Sequence, residues 1–256
     1  MLDVLGGGTM KKINRTPLSV EIRTAVNTLI ETLLENNEKR LPSELELSKQ
    51  LNVSRAALRE VLTEMSNEGI IIKAHGKPTY INKEFRKMKV TLNPAIEFES
   101  AIRKLGYDSS VQVVSIKEQK ASLFEMKELN LDEDETVLHI NKVFFANKIP
   151  VIFCKDIFLK SMLNDYKYTN EDLIQSTFDF LYEKADLLLE HDITTISAIS
   201  SNKLKEFSSF TTKNKPLLML NSTYYTSSNA ASFLTKAAFD TEYIILNTLR
   251  RQSIYK

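Results

Sequence analysis

The sequence predicts an α+β protein of two domains: a small helical domain that ends in a two-stranded wing, and a larger domain with a mainly antiparallel sheet. Its 256 residues are too many for the small domain alone. Helix caps and apolar residues at helical spacing fill the first eighty residues, whereas β-branched and aromatic runs of strand length recur from residue 111 onward. We expect domains at residues 10–81 and 91–251, joined by a charged linker at 82–90.

The first domain is predicted from the ends of its helices. Ser43 and Glu46 form a capping box, Ser54 caps the next helix, and Gly69 lies where a left-handed residue would end that helix. In chain order the predicted elements are helices 17–34, 44–50 and 55–68, then strands 70–72 and 79–81 around a turn at 75–78. This order is a packing helix followed by helix, turn, helix and wing.

The second helix of the helix-turn-helix carries the chemistry. Arg55 and Arg59 are four residues apart on one helical face, off the apolar stripe, and Ala56 beside them is small enough to let the helix enter a groove. Arginine donates two hydrogen bonds to guanine in the major groove, or binds phosphate. The alternative is an ordinary amphipathic helix with solvated arginines. The basic, glycine-bearing turn of the wing favours DNA binding, because such a turn can enter the adjacent minor groove.

These residues resemble the GntR superfamily of bacterial transcription regulators. The resemblance is carried by residues 41–48, 53–60 and 68–70, and the wing HGKPT at 75–79 is similar to the fatty-acid-responsive FadR branch. Leu45 stands where that branch has a DNA-contacting arginine, so the operator need not be the same. The resemblance implies contacts with double-stranded operator DNA from Ser43, Ser54, Arg55, Ala56, Arg59, His75, Gly76 and Lys77.

The second domain is predicted to mix helices with a mainly antiparallel sheet. Asn93-Pro94 is expected to begin a helix, and Asn147-Lys148 to form the turn of a β-hairpin. So many strand-like runs exclude the all-helical effector domain of the FadR branch. The predicted elements are helix 93–106, strand 111–116, helix 121–129, strands 136–146 and 151–158, helix 170–184, strand 193–199, helix 202–207 and strands 216–225, 232–239 and 243–249.

This half is similar to the UTRA effector domain of the HutC-like GntR branch, which shares its architecture with chorismate lyase. The similarity rests on a Phe-containing segment ahead of Gly106, on a strand at 142–144 leading to Pro150, and on a closing Asp240…Tyr243. The resemblance implies a small-molecule effector site, with Ser176 at an effector phosphate. The implied effector-binding residues are Phe98, Glu99, Ser100, Lys142, Phe144, Cys154 and Ser176.

Departures from the family pattern bear on the effector. Phe144 replaces the second arginine of the strand, and Ala231 and Ala237 stand where sugar-binding relatives have glutamate and tyrosine. Burying a sugar hydroxyl without a partner costs ~1–3 kcal/mol, so these departures argue against an aminosugar phosphate. We expect a smaller or more apolar effector, with Lys142 holding any anionic group it carries.

The remaining reactive side chains indicate neither catalysis nor a metal. His139 and His191 have no metal-ligand spacing with each other or with the single cysteine, Cys154, and we expect no cofactor and no metal. Cys154 lies in an apolar run, where a buried inert thiol is the better interpretation than a nucleophile. One cysteine, no membrane-length apolar run and no signal pattern predict a cytoplasmic protein that contacts no membrane.

The sequence therefore predicts a ligand-responsive transcription regulator, a repressor that binds a palindromic operator as a homodimer. The alternative function is a small-molecule enzyme of chorismate-lyase-like architecture fused to a DNA-binding domain. A nucleophile–base set or a carboxylate pair in the second-domain pocket would favour that alternative. The linker at 82–90 is expected to be either solvated or a phosphate-touching hinge that changes with the effector.

Overall fold

The structure, a computed structural model, describes residues 17–74, 76–93, 97–164, 166–211 and 214–250. His75 and Pro94 therefore lie outside the described residues, as do the ends of the predicted domains at 10–16 and 251. The chain folds into two compact units. One runs to Met88 and includes the chain from Leu249 onward, and the other is Lys89–Thr248.

The first unit contains the predicted helix-turn-helix. Its helices are α1 (Leu18–Glu35), α2 (Glu44–Gln50) and α3 (Arg55–Glu68), and strands β1 (Ile71–Ile72) and β2 (Tyr80–Ile81) pair antiparallel as the wing. One apolar core joins them, to which α1 contributes Ile22, Val26 and Ile30 and α3 contributes Leu58, Val61, Leu62 and Met65. Amphipathic helices are stable here because this shared core buries their apolar faces.

The predicted caps of this unit are present. Ser43 accepts a hydrogen bond from the backbone N–H of Glu46, and the Glu46 carboxylate returns to the Ser43 N–H, which completes the capping box. Ser54 caps α3 by accepting from the N–H of Ala57. Gly69 ends α3 in the left-handed conformation with φ of 90°, and a Cβ at that position would collide with the side chain of Leu249. The left-handed backbone therefore favours glycine at this position, and a larger residue would also make the Leu249 side chain shift.

Between the wing and the second unit the chain forms one further short helix, α4 (Lys83–Arg86). Asn82 caps it, with its side-chain oxygen accepting from the N–H of Phe85 at 3.3 Å. The segment predicted as a charged linker therefore has helical structure in its first half.

The second unit confirms the predicted α+β class, with six strands in one antiparallel sheet. The strand order is β3-β4-β5-β8-β7-β6, so β8 lies in the interior of the sheet and β6 at its edge. The strands are β3 (Ser109–Lys120), β4 (Thr136–Ala146), β5 (Ile149–Leu159), β6 (Leu189–Ser200), β7 (Pro216–Thr226) and β8 (Ala231–Phe239). The helices are α5 (Phe98–Lys104), α6 (Leu123–Leu129), α7 (Asn170–Ile174) and α8 (Thr177–Ala185), with 3-10 turns at Lys160–Leu163, Ser201–Lys203 and Lys205–Phe207.

Two predicted elements of this unit are wrong. The helix predicted over 170–184 is broken into α7 and α8, because Gln175 and Ser176 adopt extended ψ angles of 171° and 130°. The segment 243–249 is not a strand of the sheet. Its one β-contact is an isolated parallel bridge between Thr91 and Asn247.

Other boundaries differ by a few residues. Helix α5 begins at Phe98, with Glu97 as its cap, and Asn93 is not helical. The short helix predicted over 202–207 consists of two 3-10 turns. The hairpin turn is where it was predicted, since Asn147 and Lys148 have φ of 48° and 67°, as a tight turn between antiparallel strands requires. No described helix is long and apolar enough to span a membrane.

Candidate functional site

Helix α3 presents one polar face to solvent. Ser54, Arg55, Ala56 and Arg59 are all exposed, whereas Leu58 on the opposite side is fully buried. This is the arrangement that the helical spacing predicted, and it leaves both guanidinium groups accessible to a partner. Gly76 and Lys77, the described residues among the predicted wing contacts, are exposed as well.

Arg59 is not an isolated surface charge. Its Nε and Nη2 atoms each lie 2.9 Å from Oε2 of Glu44 on α2, and Lys73 Nζ lies 2.6 Å from Oε1 of the same carboxylate. The hydrogen bond from Lys73, together with that from Arg59, holds the pKa of Glu44 below its usual range, against the opposing effect of partial burial. One carboxylate thus orients two cations of the candidate DNA surface. The sequence prediction did not include Glu44 in this role.

The two serines predicted to contact DNA have structural partners. The hydroxyl of Ser43 donates to Glu46 Oε2 at 2.8 Å and accepts from the Glu46 N–H at 3.3 Å. The Ser54 hydroxyl accepts from the Ala57 N–H at 3.1 Å and keeps its own proton available.

The second unit contains a cavity of about 810 Å³. Its floor is one face of the sheet, and its walls are the first turn of α5, the junction of α7 with α8, and residues 90–93. Phe98, Lys142, Phe144, Cys154 and Ser176 line this cavity, as does Ala237. A volume of this size accommodates a drug-sized metabolite.

The other two predicted effector-binding residues lie elsewhere. Glu99 and Ser100 do not line the cavity, and Glu99 instead accepts from the Ser109 hydroxyl at 3.3 Å. Glu97 lines it in their place, with its two carboxylate oxygens accepting from the N–H groups of Glu99 and Ser100. Ala231 is also outside the wall.

Lys142 is the largest fully buried side chain of the floor, and its ammonium group has three partners. Nζ donates to the backbone carbonyl of Gln175 at 3.1 Å and to Thr177 Oγ1 at 2.8 Å, and it lies 3.9 Å from Asp156 Oδ2. Thr177 in turn donates to Asp156 Oδ2 at 2.5 Å. The break between α7 and α8 frees the Gln175 carbonyl for this contact. A buried ammonium is stable only when paired in this way.

Asp156 begins a polar row that crosses the floor. The row consists of Asp156, Thr235, Ser222 and Thr194, which lie directly opposite one another on β5, β8, β7 and β6. Thr235 donates to Asp156 Oδ1 at 3.1 Å, and the hydroxyls of Thr194 and Ser222 are 2.6 Å apart. At the edge of the sheet, Thr194 also donates to Asp192. The floor therefore offers hydroxyls between two carboxylates.

Apolar side chains lie on both sides of the polar row. Phe98 packs edge-on against Phe144 and Phe239 at ring-centroid distances of 5.2 and 5.5 Å. On the other side Phe178 packs against Tyr224 at 5.0 Å, and Tyr224 lies opposite Asp192 in the sheet. The cavity thus combines an aromatic end, a polar centre and a second aromatic end.

Cys154 lies in this floor but is 1% exposed. Burial, together with the charge of Asp156, raises the pKa of its thiol well above the usual value, so the sulfur stays protonated and donates to Asp156 Oδ1 at 3.3 Å. A thiol in this state is a poor nucleophile. Among the described residues, no group of three or more His, Cys, Asp or Glu side chains could hold a metal ion.

Asp156 and Thr177 are the main residues of the cavity that the sequence prediction missed. A signal was available for Asp156, because strand residues two apart point to the same face and Cys154 was already assigned to the pocket. The hairpin turn also fixes the register that places Lys142 opposite Cys154. Nothing local indicated Thr177, which reaches the site through the helix break.

Comparison with known families and proteins gives a consistent result. The model of the family described as "Bacterial regulatory proteins, gntR family" matches residues 18–81, and the UTRA domain model matches residues 104–243. The second match covers more than half of the chain.

Among relatives, the histidine utilization repressor of Pseudomonas putida is 29% identical over 112 residues, which are 44% of this chain and 44% of that protein. The HTH-type transcriptional repressor NagR of Bacillus subtilis is 24% identical over 147 residues, 56% of this chain and 58% of that one. The chain thus matches about half the length of each of these relatives.

Two solved structures have a similar fold. The possible transcriptional regulator YydK from Bacillus subtilis superimposes with a TM-score of 0.74 at 18% identity, covering 91% of this chain and 99% of that one. PhnF from Mycobacterium smegmatis gives a TM-score of 0.56 at 14% identity, with 91% and 100% covered. With its two domain types in this order, the chain belongs to the gntR family of bacterial regulatory proteins, among the members that carry a UTRA domain.

Proposed function

We propose that the chain is a ligand-responsive transcription repressor that binds a palindromic operator as a homodimer. The observation that carries the proposal is the polar face of α3, where exposed Arg55 and Arg59 project from a helix whose other face is locked in the core. A rigid helix with two arginines on one face suits the major groove, where arginine reads guanine. The names of the two relatives, both repressors, support the sign of regulation.

The second unit supplies the response to a ligand. Its cavity has room for a metabolite, a mostly apolar wall and a small number of converging polar groups, as ligand sites usually have. A ligand changes DNA binding only if its affinity differs between two states of the protein. The chain joins cavity and DNA surface through residues 82–90, so we propose that this linker transmits the change. Such a regulator acts in the cytoplasm, where bacterial DNA lies.

A homodimer follows from the proposed mode of reading DNA. Helix-turn-helix proteins read two half-sites about one helical turn apart, and pairing two copies on a palindrome multiplies a modest single-domain affinity. We propose that the second unit, which is the larger of the two, forms the contact between the two copies. Sedimentation at micromolar concentration should show a dimer, and a monomer both with and without operator DNA would contradict this part of the proposal.

The alternative function, an enzyme, has less support. The nucleophile candidate in the cavity, Cys154, is a protonated thiol bonded to Asp156. The buried carboxylate of Asp156 already accepts hydrogen bonds from Thr177 and Thr235 in addition to the thiol. Because the thiol and the carboxylate are already hydrogen-bonded, they are better suited to stabilising the fold and binding a ligand than to transferring protons.

The proposed function is tested by selecting genomic fragments on the purified chain and measuring gel-shift binding to the enriched sequence. We expect an inverted repeat bound at nanomolar concentration and at least about a thousandfold more tightly than random DNA at the same salt. Arg55→Ala with Arg59→Ala should remove this preference, while Arg103→Ala, an exposed arginine of the other unit, should keep it. Enrichment of no sequence by the unmodified chain would reject the proposal.

A further inference from the structure

The charge lining the cavity is predominantly negative. Among the described residues that line it, the basic side chains are those of Lys142 and His191. The acidic ones are those of Glu97, Asp156, Asp179, Glu190 and Asp192. A site built for a phosphate or another strong anion would have the opposite balance, because such groups are held by cations and N–H donors.

The single ammonium is already occupied. Its three contacts are Gln175, Thr177 and Asp156, and the side chain is 2% exposed. An anionic ligand would have to draw Lys142 away from Asp156 and leave that carboxylate buried without its cation, which is unfavourable. The ammonium thus neutralises the floor and leaves little attraction for a ligand anion.

Two of the five carboxylates are also occupied, one by this ammonium and one by α5. Asp156 is paired with Lys142, as described above. Glu97 caps α5 by accepting from backbone N–H groups, and its Oε2 lies 3.7 Å from Arg103 Nη2. In the part of the chain that the structure describes, no lysine, arginine or histidine lies within ion-pair distance of Asp179, Glu190 or Asp192. These three carboxylates carry the uncompensated charge.

Their positions differ in a way that singles out Asp192. Asp179 lies in the first turn of α8, where its charge already matches the positive end of that helix, and Glu190 is exposed. Asp192 is half-buried, lies beside Tyr224 on the neighbouring strand, and continues the polar row through its contact with Thr194. It is the carboxylate placed to contact a ligand that lies on the floor.

We propose that the cavity selects a ligand that carries a protonated amine, with the nitrogen paired to Asp192 and an uncharged body lying over the polar row toward Phe98, Phe144 and Phe239. This inference rests on the proposed role of the second unit as the effector-binding domain. It departs from the expectation that Lys142 holds an anionic group of the effector, because Asp156 takes that place.

The test uses two sets of probes, in each of which an amine, a neutral compound and an anion share a similar body. One set is phenethylamine, phenethyl alcohol and 3-phenylpropanoate, and the other is glucosamine, glucose and glucose 6-phosphate. Binding to the full chain is measured by calorimetry and thermal shift without DNA, so the result does not depend on whether an operator is found. We expect the amine of at least one set to bind roughly fivefold or more tightly than its neutral and anionic counterparts.

Two variants with the same charge change assign the effect to the site. Asp192→Asn should reduce the amine preference to about that of the alcohol or sugar, whereas Asp186→Asn, an exposed position outside the cavity, should retain it. Tighter binding of the anionic members would overturn the proposal. So would equal or no binding throughout both sets, or an amine preference that survives Asp192→Asn. The DNA selection described above remains a separate test of the regulator itself.

Discussion

Glu44 and Arg59 form a two-contact ion pair across the helix-turn-helix, with Nε and Nη2 of the arginine each 2.9 Å from one carboxylate oxygen. Because Glu44 also holds Lys73, a single side chain of α2 sets the direction of one cation of the recognition helix and one beside the wing. The pair is partly exposed and contributes little to stability by itself. We expect the pair to affect the sequence specificity of DNA binding, because it orients Arg59.

Replacing Glu44 with glutamine should change specificity more than fold. Without the carboxylate, Arg59 and Lys73 lose their common partner and the DNA surface gains one net positive charge. Binding to random DNA should strengthen and its dependence on salt should steepen by about one unit of log–log slope, while the operator-to-random ratio falls. Gel-shift titrations at several salt concentrations measure both. Glu35→Gln, an exposed site at the end of α1, is the matched control, and identical behaviour of the two variants would disprove the role of Glu44.

Arg59→Ala is expected to act on base reading. One two-contact arginine–guanine pair gives ~1–3 kcal/mol of discrimination, so operator binding should weaken by more than random-DNA binding at the same salt. Competition gel shifts with operator and scrambled duplexes measure the difference. Equal losses on both duplexes would mean that Arg59 contacts phosphate alone.

The pair of Lys142 and Asp156 should show strong energetic coupling. Lys142→Met leaves a buried carboxylate without its cation and should cost about 3–5 kcal/mol of unfolding free energy. Asp156→Leu alone should be similarly harmful, whereas the double variant should recover much of the loss, since neither charge is then left unpaired. Urea unfolding followed by circular dichroism measures all four proteins. Additive losses would show that the two side chains stabilise the unit independently.

Acid should destabilise the second unit through His139, which lies on the opposite side of the sheet from the cavity. His139 Nε2 is 2.9 Å from Glu125 Oε1, without an aligned N–H between them, and the imidazole is buried. Burial, followed by the charge of Lys155, lowers the pKa of His139 below its ordinary 6.5 despite the nearby carboxylate. A histidine with a lowered pKa in the folded state stabilises the fold above its unfolded pKa, and this stability is lost as pH falls below about 6.5.

Thermal unfolding between pH 8 and 5.5 tests this dependence. We expect the midpoint of the unmodified chain to fall across that range and the slope to be smaller in His139→Gln, which binds no proton there. His191→Gln is the control, because His191 is exposed on the edge strand and stacks on Tyr225. If both variants keep the slope of the unmodified chain, another group is responsible for the pH dependence.

The sequence by itself was sufficient for the helix-turn-helix. The capping box at Ser43, the cap at Ser54 and the left-handed Gly69 are interactions of residues three or fewer positions apart, or backbone requirements of one residue. The exposure of Arg55 and Arg59 follows from helical periodicity. The hairpin turn at Asn147-Lys148 and the antiparallel class of the second unit are of the same local kind. Local chemistry determined these features, so local patterns could predict them.

Tertiary structure alone decided the break between α7 and α8 and the partner of Lys142. Gln175 and Thr177 lie 33 and 35 residues from Lys142 in the chain, and their contacts exist only because the sheet brings this helix junction over β4. The segment 243–249 has the composition of a strand, but it pairs with neither edge strand of the sheet, β3 or β6, and its bridge is to Thr91. The partners of a buried ammonium are the carboxylate and carbonyl groups that the fold brings next to it. Because these groups are distant in the chain, the periodicity of the sequence could not predict them.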